Sequence, residues 1–140
     1  MSDSEDNNVN SNDIDEVLTK IDRDRRAIRN LFKQKNESLQ KLEIALDLRR
    51  YAKVNLQADQ INFYANFMNF LKIQWISVKS ELQKINSKKD LSHVKKQLLH
   101  SNTDYAFVYN ELYTINTFQN NVISLLNNII TKANAVLNAL

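Results

Sequence analysis

Few residues of this chain could cleave a bond, transfer a group or coordinate a metal ion, and they lie far apart. His93 and His100 are the two histidines, and seven residues of helix place them about 10 Å apart along the axis, too far to share one metal ion. Without cysteine, thiolate metal sites, disulfides and thiol nucleophiles are excluded. Without glycine, a phosphate-binding loop is excluded as well. We therefore expect no catalytic, cofactor-binding or metal site.

Serine and carboxylate side chains are common, but their spacing forms no catalytic pattern. The serines lack the Gly-x-Ser-x-Gly elbow, and no Glu-x-x-His set offers the ligands of a carboxylate metal centre. A protein that binds other molecules without transforming them is the first expectation. We predict that the chain is not an enzyme and needs no cofactor.

One stretch, residues 20–35, is strongly basic and could bind anions. On a helix, four of its side chains would lie along one side, opposite the apolar row: Arg23, Arg26, Arg29 and Lys33. Such a face can follow the phosphates of a nucleic acid or an anionic membrane surface, with binding that weakens as salt is added. Any solvated amphipathic helix would place its charges in the same way. We favour the solvated face and keep anion binding as the alternative function.

Glycine and proline are absent from all 140 residues, which bears directly on the fold. Tight hairpins need backbone angles that glycine supplies, and proline is the other common turn residue. Sandwich, barrel and dinucleotide-binding folds therefore lose their usual turns. We predict an all-α fold in which asparagine takes over the role of ending helices.

The strongest helix signal lies between Ile61 and Ile85, where steps of three and four residues meet only apolar or aromatic side chains. This predicted internal seam consists of Ile61, Tyr64, Met68, Leu71, Trp75, Val78, Leu82 and Ile85. Its period of 3.5 residues is that of a coiled coil. Because Phe63, Phe67 and Phe70 add a second apolar row, we expect this middle helix to join the other two.

A second apolar row lies nearer the N-terminus and runs through the basic stretch with the same steps of three and four residues. It consists of Ile14, Leu18, Ile21, Arg25, Ile28, Phe32, Lys35, Leu39, Leu42 and Leu46. Arg25 and Lys35 interrupt it with charge. Polar residues at such sites can fix the register or the oligomeric state of a coiled coil. Alternatively, their aliphatic stems lie along the seam while the charges reach water. The sequence leaves both interpretations open.

The longest row runs from Leu91 to Leu140, and a helix of about 50 residues would span about 75 Å. The other two helices could not cover that length, so we expect the third helix to protrude and bind a partner. The predicted partner interface consists of Leu98, Tyr105, Val108, Leu112, Ile115, Val122, Leu126, Ile129 and Val136. The polar positions Arg25, Lys35, Ser101 and Gln119 would set its specificity.

The three rows predict an elongated three-helix coiled-coil hairpin or open bundle in one domain, residues 13–140. We expect helices at about 13–53, 56–86 and 90–139, although the first two could form one continuous helix. Residues 1–12 hold acidic side chains and little that can be buried, which predicts a disordered acidic tail. No stretch is apolar enough for a transmembrane segment.

The chain as a whole, with its acidic Ser and Asn leader, Asn-rich helices and lack of Gly and Pro, resembles the small helical subunits of fungal kinetochore and spindle complexes. It is also similar to subunits of the complex for biogenesis of lysosome-related organelles. The resemblance concerns architecture and composition and assigns no site residues. It implies a scaffold or tethering subunit of a hetero-oligomeric coiled-coil complex, with other helical proteins as partners and an intracellular location, in the cytoplasm or the nucleus.

Overall fold

A computed structural model describes residues 9–51, 58–86, 94, 96, 98–99 and 104–140 of the chain. These residues contain three long helices and no strand: α1, Ser11–Tyr51; α2, Ala58–Asn86; and α3, Tyr105–Ala139. The all-α class predicted from the sequence is confirmed. The gaps expected between the predicted helices, at about 53–56 and 86–90, lie outside the described residues. So do His93, His100 and Ser101.

Helix α1 begins two residues before the predicted boundary because Asn10 caps it. The Asn10 side-chain oxygen accepts hydrogen bonds from the backbone N–H of Asn12 and of Asp13, at 2.9 and 3.2 Å. In return, the Asp13 carboxylate accepts from the Asn10 backbone N–H at 3.0 Å. This reciprocal pair satisfies the first free N–H groups of the helix. Ser11 and Asn12 therefore belong to the helix and not to the predicted tail.

Helix α3 begins at Tyr105, so the predicted helix from 90 to 139 was wrong at its start. Asp104 has an extended backbone, with φ −81° and ψ 95°, and its carboxylate accepts from the Phe107 backbone N–H at 3.2 Å. A residue in that conformation is an N-cap and cannot be the middle of a helix. The apolar row carries across the cap because Val94, before it, is buried in the same cluster as Val108.

Helix α3 is the centre of the bundle. It packs extensively against α1 and less against α2, whereas the backbones of α1 and α2 hardly approach each other. Its buried row is Val108, Leu112, Ile115, Gln119, Val122, Leu126, Ile129, Ala133 and Val136. The middle helix was expected to join the other two, but the third helix does so, because its apolar row is the longest and most regular.

Two apolar clusters fix the direction of the helices. One contains Ile14 and Ile21 near the start of α1 and Val108 and Leu112 near the start of α3. The other contains later residues of α1 and α3, such as Leu42 and Val136, together with Phe67, Leu71 and Val78 of α2. Helices α1 and α3 are therefore parallel. Lys84 lies over the ring of Phe118 while the start of α2 lies near the end of α1, so α2 runs antiparallel to both.

The buried face of α1 differs in part from the predicted row. The predicted residues that are buried are Ile14, Ile21, Ile28, Lys35 and Leu42. Between them, Val17, Asp24 and Ser38 are buried, one position before the residues expected there. Arg25 is exposed and Leu39 is half-buried. The helix meets α3 on one side and α2 on the other. A single apolar row with steps of three and four residues therefore does not describe its buried face.

Candidate interaction surface between the first and second helices

The open side of the bundle is a seam between α1 and α2, which we call the α1/α2 seam. The side chains that cross it are large, and two grooves remain where they do not fill the space between the helices. One groove lies near the end of α1 and the start of α2, and the other near the middle of α1 and the end of α2. The cluster of Phe32, Lys35 and Trp75 separates them.

The first groove is apolar and has a volume of about 420 Å³. Its lining comprises Leu39, Leu42, Glu43, Leu46 and Asp47 of α1 with Met68 and Leu71 of α2. Met68 is 43% exposed, although the predicted internal seam had it inside. Phe67, its neighbour, is buried in its place, in the cluster that contains Leu126 and Ile129 of α3. The groove thus offers apolar surface with two carboxylates along its wall.

The second groove is basic and has a volume of about 450 Å³. Its lining comprises Asp22, Arg25, Arg26, Ile28 and Arg29 of α1, Leu82 and Ile85 of α2, and Gln119 of α3. The three arginines are exposed. Gln119 is buried to 1% exposure, and its side-chain oxygen has no hydrogen-bond partner among the described residues. An unpaired buried carbonyl costs free energy in the isolated chain.

Lys35 holds the centre of the seam through aromatic contacts. Its ammonium nitrogen lies 3.6 Å from the centre of the Trp75 ring and 5.7 Å from that of Phe32. The two rings pack edge to face, with centres 5.9 Å apart. Lys79 approaches the same Trp75 ring at 5.6 Å. A cation over an aromatic face is attracted by the ring, and this attraction offsets part of the cost of burying Lys35.

The pKa of Lys35 is lowered, first because burial disfavours the charged ammonium and second because Lys79 repels it. Of the two interpretations open from the sequence, the free charge in water does not describe Lys35, whose side chain is buried. Arg25, in contrast, is exposed on the seam. The two charged residues that interrupt the predicted row therefore have different environments.

The residues of the predicted partner interface are largely internal to the chain, which corrects that prediction. Val108, Leu112, Ile115, Val122, Leu126, Ile129 and Val136 are buried at 0–6% exposure, Leu98 is half-buried and Tyr105 is 36% exposed. Periodicity located this row correctly. It could not tell that α1 and α2 would cover the row within one chain.

The residues of the predicted internal seam of α2 differ in how deeply they are buried. Leu71 and Val78 are buried, and Tyr64, Trp75, Leu82 and Ile85 are half-buried. Met68 is exposed, and the side chain of Ile61 is outside the described residues. On the opposite face, Ile73 and Ile76 are exposed at 60% and 65%. This outer face of α2 is a second apolar surface.

The four residues of the predicted anion-binding face are all exposed. Arg26 and Arg29 line the basic groove, whereas Arg23 and Lys33 lie outside it. Within the described ranges, none of the four forms an ion pair. The structure therefore divides the predicted face into a groove-lining pair and two flanking cations.

The described residues contain no group of three His, Asp or Glu side chains that could hold a metal ion. Nor does any helix in these ranges combine the length and apolar character needed to cross a membrane. In comparisons with known proteins, no family model, no curated protein and no solved structure matches this chain.

Proposed function

We propose that the chain is a non-catalytic scaffold or tethering subunit of a hetero-oligomeric helical complex, and that it binds a helix of another subunit along the α1/α2 seam. The single observation that supports this most is the open seam itself. Two of the three helix pairs are closely packed, while the third leaves an apolar groove with an exposed Met68 and a basic groove. A fourth helix in that seam would complete a bundle.

The position of the apolar groove favours a partner helix over a small ligand. The groove is partly open to solvent and lined by leucines on successive turns of α1, at positions 39, 42 and 46. Side chains from an approaching helix fill such spaces as knobs fill holes. A small molecule would instead require an enclosed pocket that buries most of its surface.

The setting that we propose follows from the resemblance in composition and architecture. Small all-α subunits of this kind serve in kinetochore or spindle complexes and in complexes for the biogenesis of lysosome-related organelles. We propose a location inside the cell, in the cytoplasm or the nucleus. Identifying the partner would decide between these processes.

Affinity capture with matched variants tests the proposal. Wild type, Met68→Glu in the seam and Ile76→Glu on the outer face of α2 are used as baits in an extract of the source cells. A partner of the seam is retained by wild type and by Ile76→Glu but lost with Met68→Glu. It should then co-elute with the chain as one complex after co-expression. A monomeric chain that melts cooperatively and retains no protein in this pattern would contradict the proposal.

Anion binding by α1 is the second candidate, because Arg23, Arg26, Arg29 and Lys33 are exposed and form no ion pair with described residues. The ligand would be a nucleic acid or an anionic membrane surface. Reversing Arg23, Arg26 and Arg29 to Glu should abolish a salt-sensitive gel shift of RNA or DNA while leaving helicity unchanged. The absence of any shift at low salt would exclude nucleic-acid binding.

A further inference from the structure

The two grooves of the α1/α2 seam differ in charge. Arg25, Arg26 and Arg29 line the groove near the middle of α1, where Asp22 is the one carboxylate among the described residues of the lining. Glu43 lines the other groove, and no cation is among the described residues of its lining. Between them lie the two lysines over the Trp75 ring. The seam is therefore basic from its arginine end to its centre and acidic at its leucine end.

We propose that the seam takes one amphipathic helix of another protein, about 21 residues long, whose carboxylates lie over the arginine end and whose cations lie near Glu43. This inference rests on the proposed function and adds to it the charge pattern of the partner. The length follows from the span between Arg25 and Leu46, which is about 32 Å at 1.5 Å per residue. Opposite charges across such a seam favour one register and disfavour wrong partners.

Gln119 gives a second, independent sign that the arginine end accepts a ligand. Its side chain lies in the lining of the basic groove, and its buried oxygen lacks a donor among the described residues. Buried polar atoms in folded proteins usually have partners. An uncharged donor on the partner helix, such as an Asn or Gln amide, would satisfy it. The cost of the unpaired oxygen in the free chain would then be recovered on binding.

The test uses three synthetic 21-residue peptides with the same apolar residues at heptad positions a and d. The graded peptide carries Glu in one half and Lys in the other, and the two uniform peptides carry only Glu or only Lys at the flanking positions. Trp75, the single tryptophan, lies at the centre of the seam, so its fluorescence reports binding to the full-length chain.

We expect the graded peptide to bind about tenfold more tightly than either uniform peptide, because each uniform peptide opposes like charges at one end. In the double variant Arg25→Glu, Arg29→Glu, the preference should move to the Lys-only peptide. Met68→Glu should weaken all three peptides, and Ile76→Glu should weaken none. Met68→Gln removes the same apolar contact without adding charge, and serves if Met68→Glu does not fold.

The Gln119→Leu variant tests whether Gln119 contacts the bound peptide or only affects the structure of the free chain. The graded peptide with an Asn facing position 119 should lose affinity for Gln119→Leu, whereas the same peptide with Leu at that position should bind the variant at least as well as wild type. Equal effects on both peptides would show that Gln119 has no role in binding.

Other outcomes would overturn the inference in distinguishable ways. If all three peptides bind alike and Met68→Glu weakens them, the seam binds helices without regard to charge, and the proposed function stands while the inference fails. If light scattering shows a dimer that Met68→Glu dissociates, the occupant is a second copy of this chain. If none of the peptides binds, the inference fails, and the capture experiment decides the proposed function separately.

Discussion

The ammonium of Lys35 lies 3.6 Å from the centre of the Trp75 ring, so one residue of α1 and one of α2 close the middle of an otherwise open seam. The contact joins two helices whose backbones hardly approach each other. It also places a buried cation beside a second one, since Lys79 approaches the same ring. Stability and pH are therefore linked at this point of the bundle.

Replacing Lys35 with Met should make the free energy of unfolding depend less on pH in the alkaline range. Because the pKa of Lys35 is lowered in the folded chain, the folded state loses this proton before the unfolded state does, whose lysine pKa is about 10.4. Between those two pKa values the unfolded state binds more protons, so this residue makes the free energy of unfolding rise with pH. Below the lowered pKa, Lys35 is charged in the folded state, and the full free-energy cost of burying that charge is present.

Urea denaturation of wild type and Lys35→Met at pH 7 and pH 10, followed by circular dichroism, measures this difference. The free energy of unfolding of the variant should compare best with that of wild type at pH 7. This advantage should be smaller at pH 10. Lys33→Met is the control, because Lys33 lies two residues away on the same helix and is exposed. A Lys35→Met difference that is the same at both pH values would contradict the linkage.

Leu126→Ala should destabilise the isolated chain by about 2–5 kcal/mol, the usual cost of opening a cavity in a packed core. Leu126 is fully buried within the chain. Ile76→Ala, at a position that is 65% exposed, should change stability by no more than about 0.5 kcal/mol. Thermal or urea unfolding of the two variants compares them directly. Equal, small effects would restore the predicted role of the α3 row as a surface for a partner.

Asp104→Ala should destabilise the chain by about 1 kcal/mol, because it removes the acceptor for the Phe107 N–H at the start of α3. Asp104→Asn should cost much less, since Asn is also a good N-cap. The comparison is made by thermal melting at neutral pH. Equal losses in both variants would mean that the carboxylate charge, rather than the cap, stabilises the start of the helix.

Gln119→Leu should stabilise the free chain by about 1 kcal/mol, because it replaces an unpaired buried oxygen with an apolar side chain in an apolar row. Asn120→Leu, at the exposed neighbouring position, is the matched control and should change stability little. Urea unfolding measures both. A loss of stability in Gln119→Leu would show that the glutamine is already satisfied in the free chain.

The sequence located apolar faces more accurately than it located what covers them. From Val108 to Val136, every residue of the predicted α3 row is buried, because a regular period survives whichever helix lies opposite. The same period cannot distinguish a neighbour within the chain from one outside it. The row was therefore correct as a seam and wrong as a surface for partners.

The open seam could not be predicted from periodicity, because it depends on the distances between helices. Small buried residues, such as Ser38 on α1 and Ala133 on α3, allow those two helices to lie close together. Phe32 and Trp75 instead separate α1 from α2. The start of α1 could be predicted from the sequence, because an Asn followed three residues later by an Asp, as at Asn10 and Asp13, is a recognisable helix cap.

The parallel course of α1 and α3 has a mechanical consequence. Ser11 and Leu140 lie at opposite ends of a rod whose third helix alone is about 52 Å long. Tension applied between these two ends would pull α1 and α3 in opposite directions along their shared face. That is a shearing load, which all the buried contacts from Val108 to Val136 resist together instead of yielding one at a time.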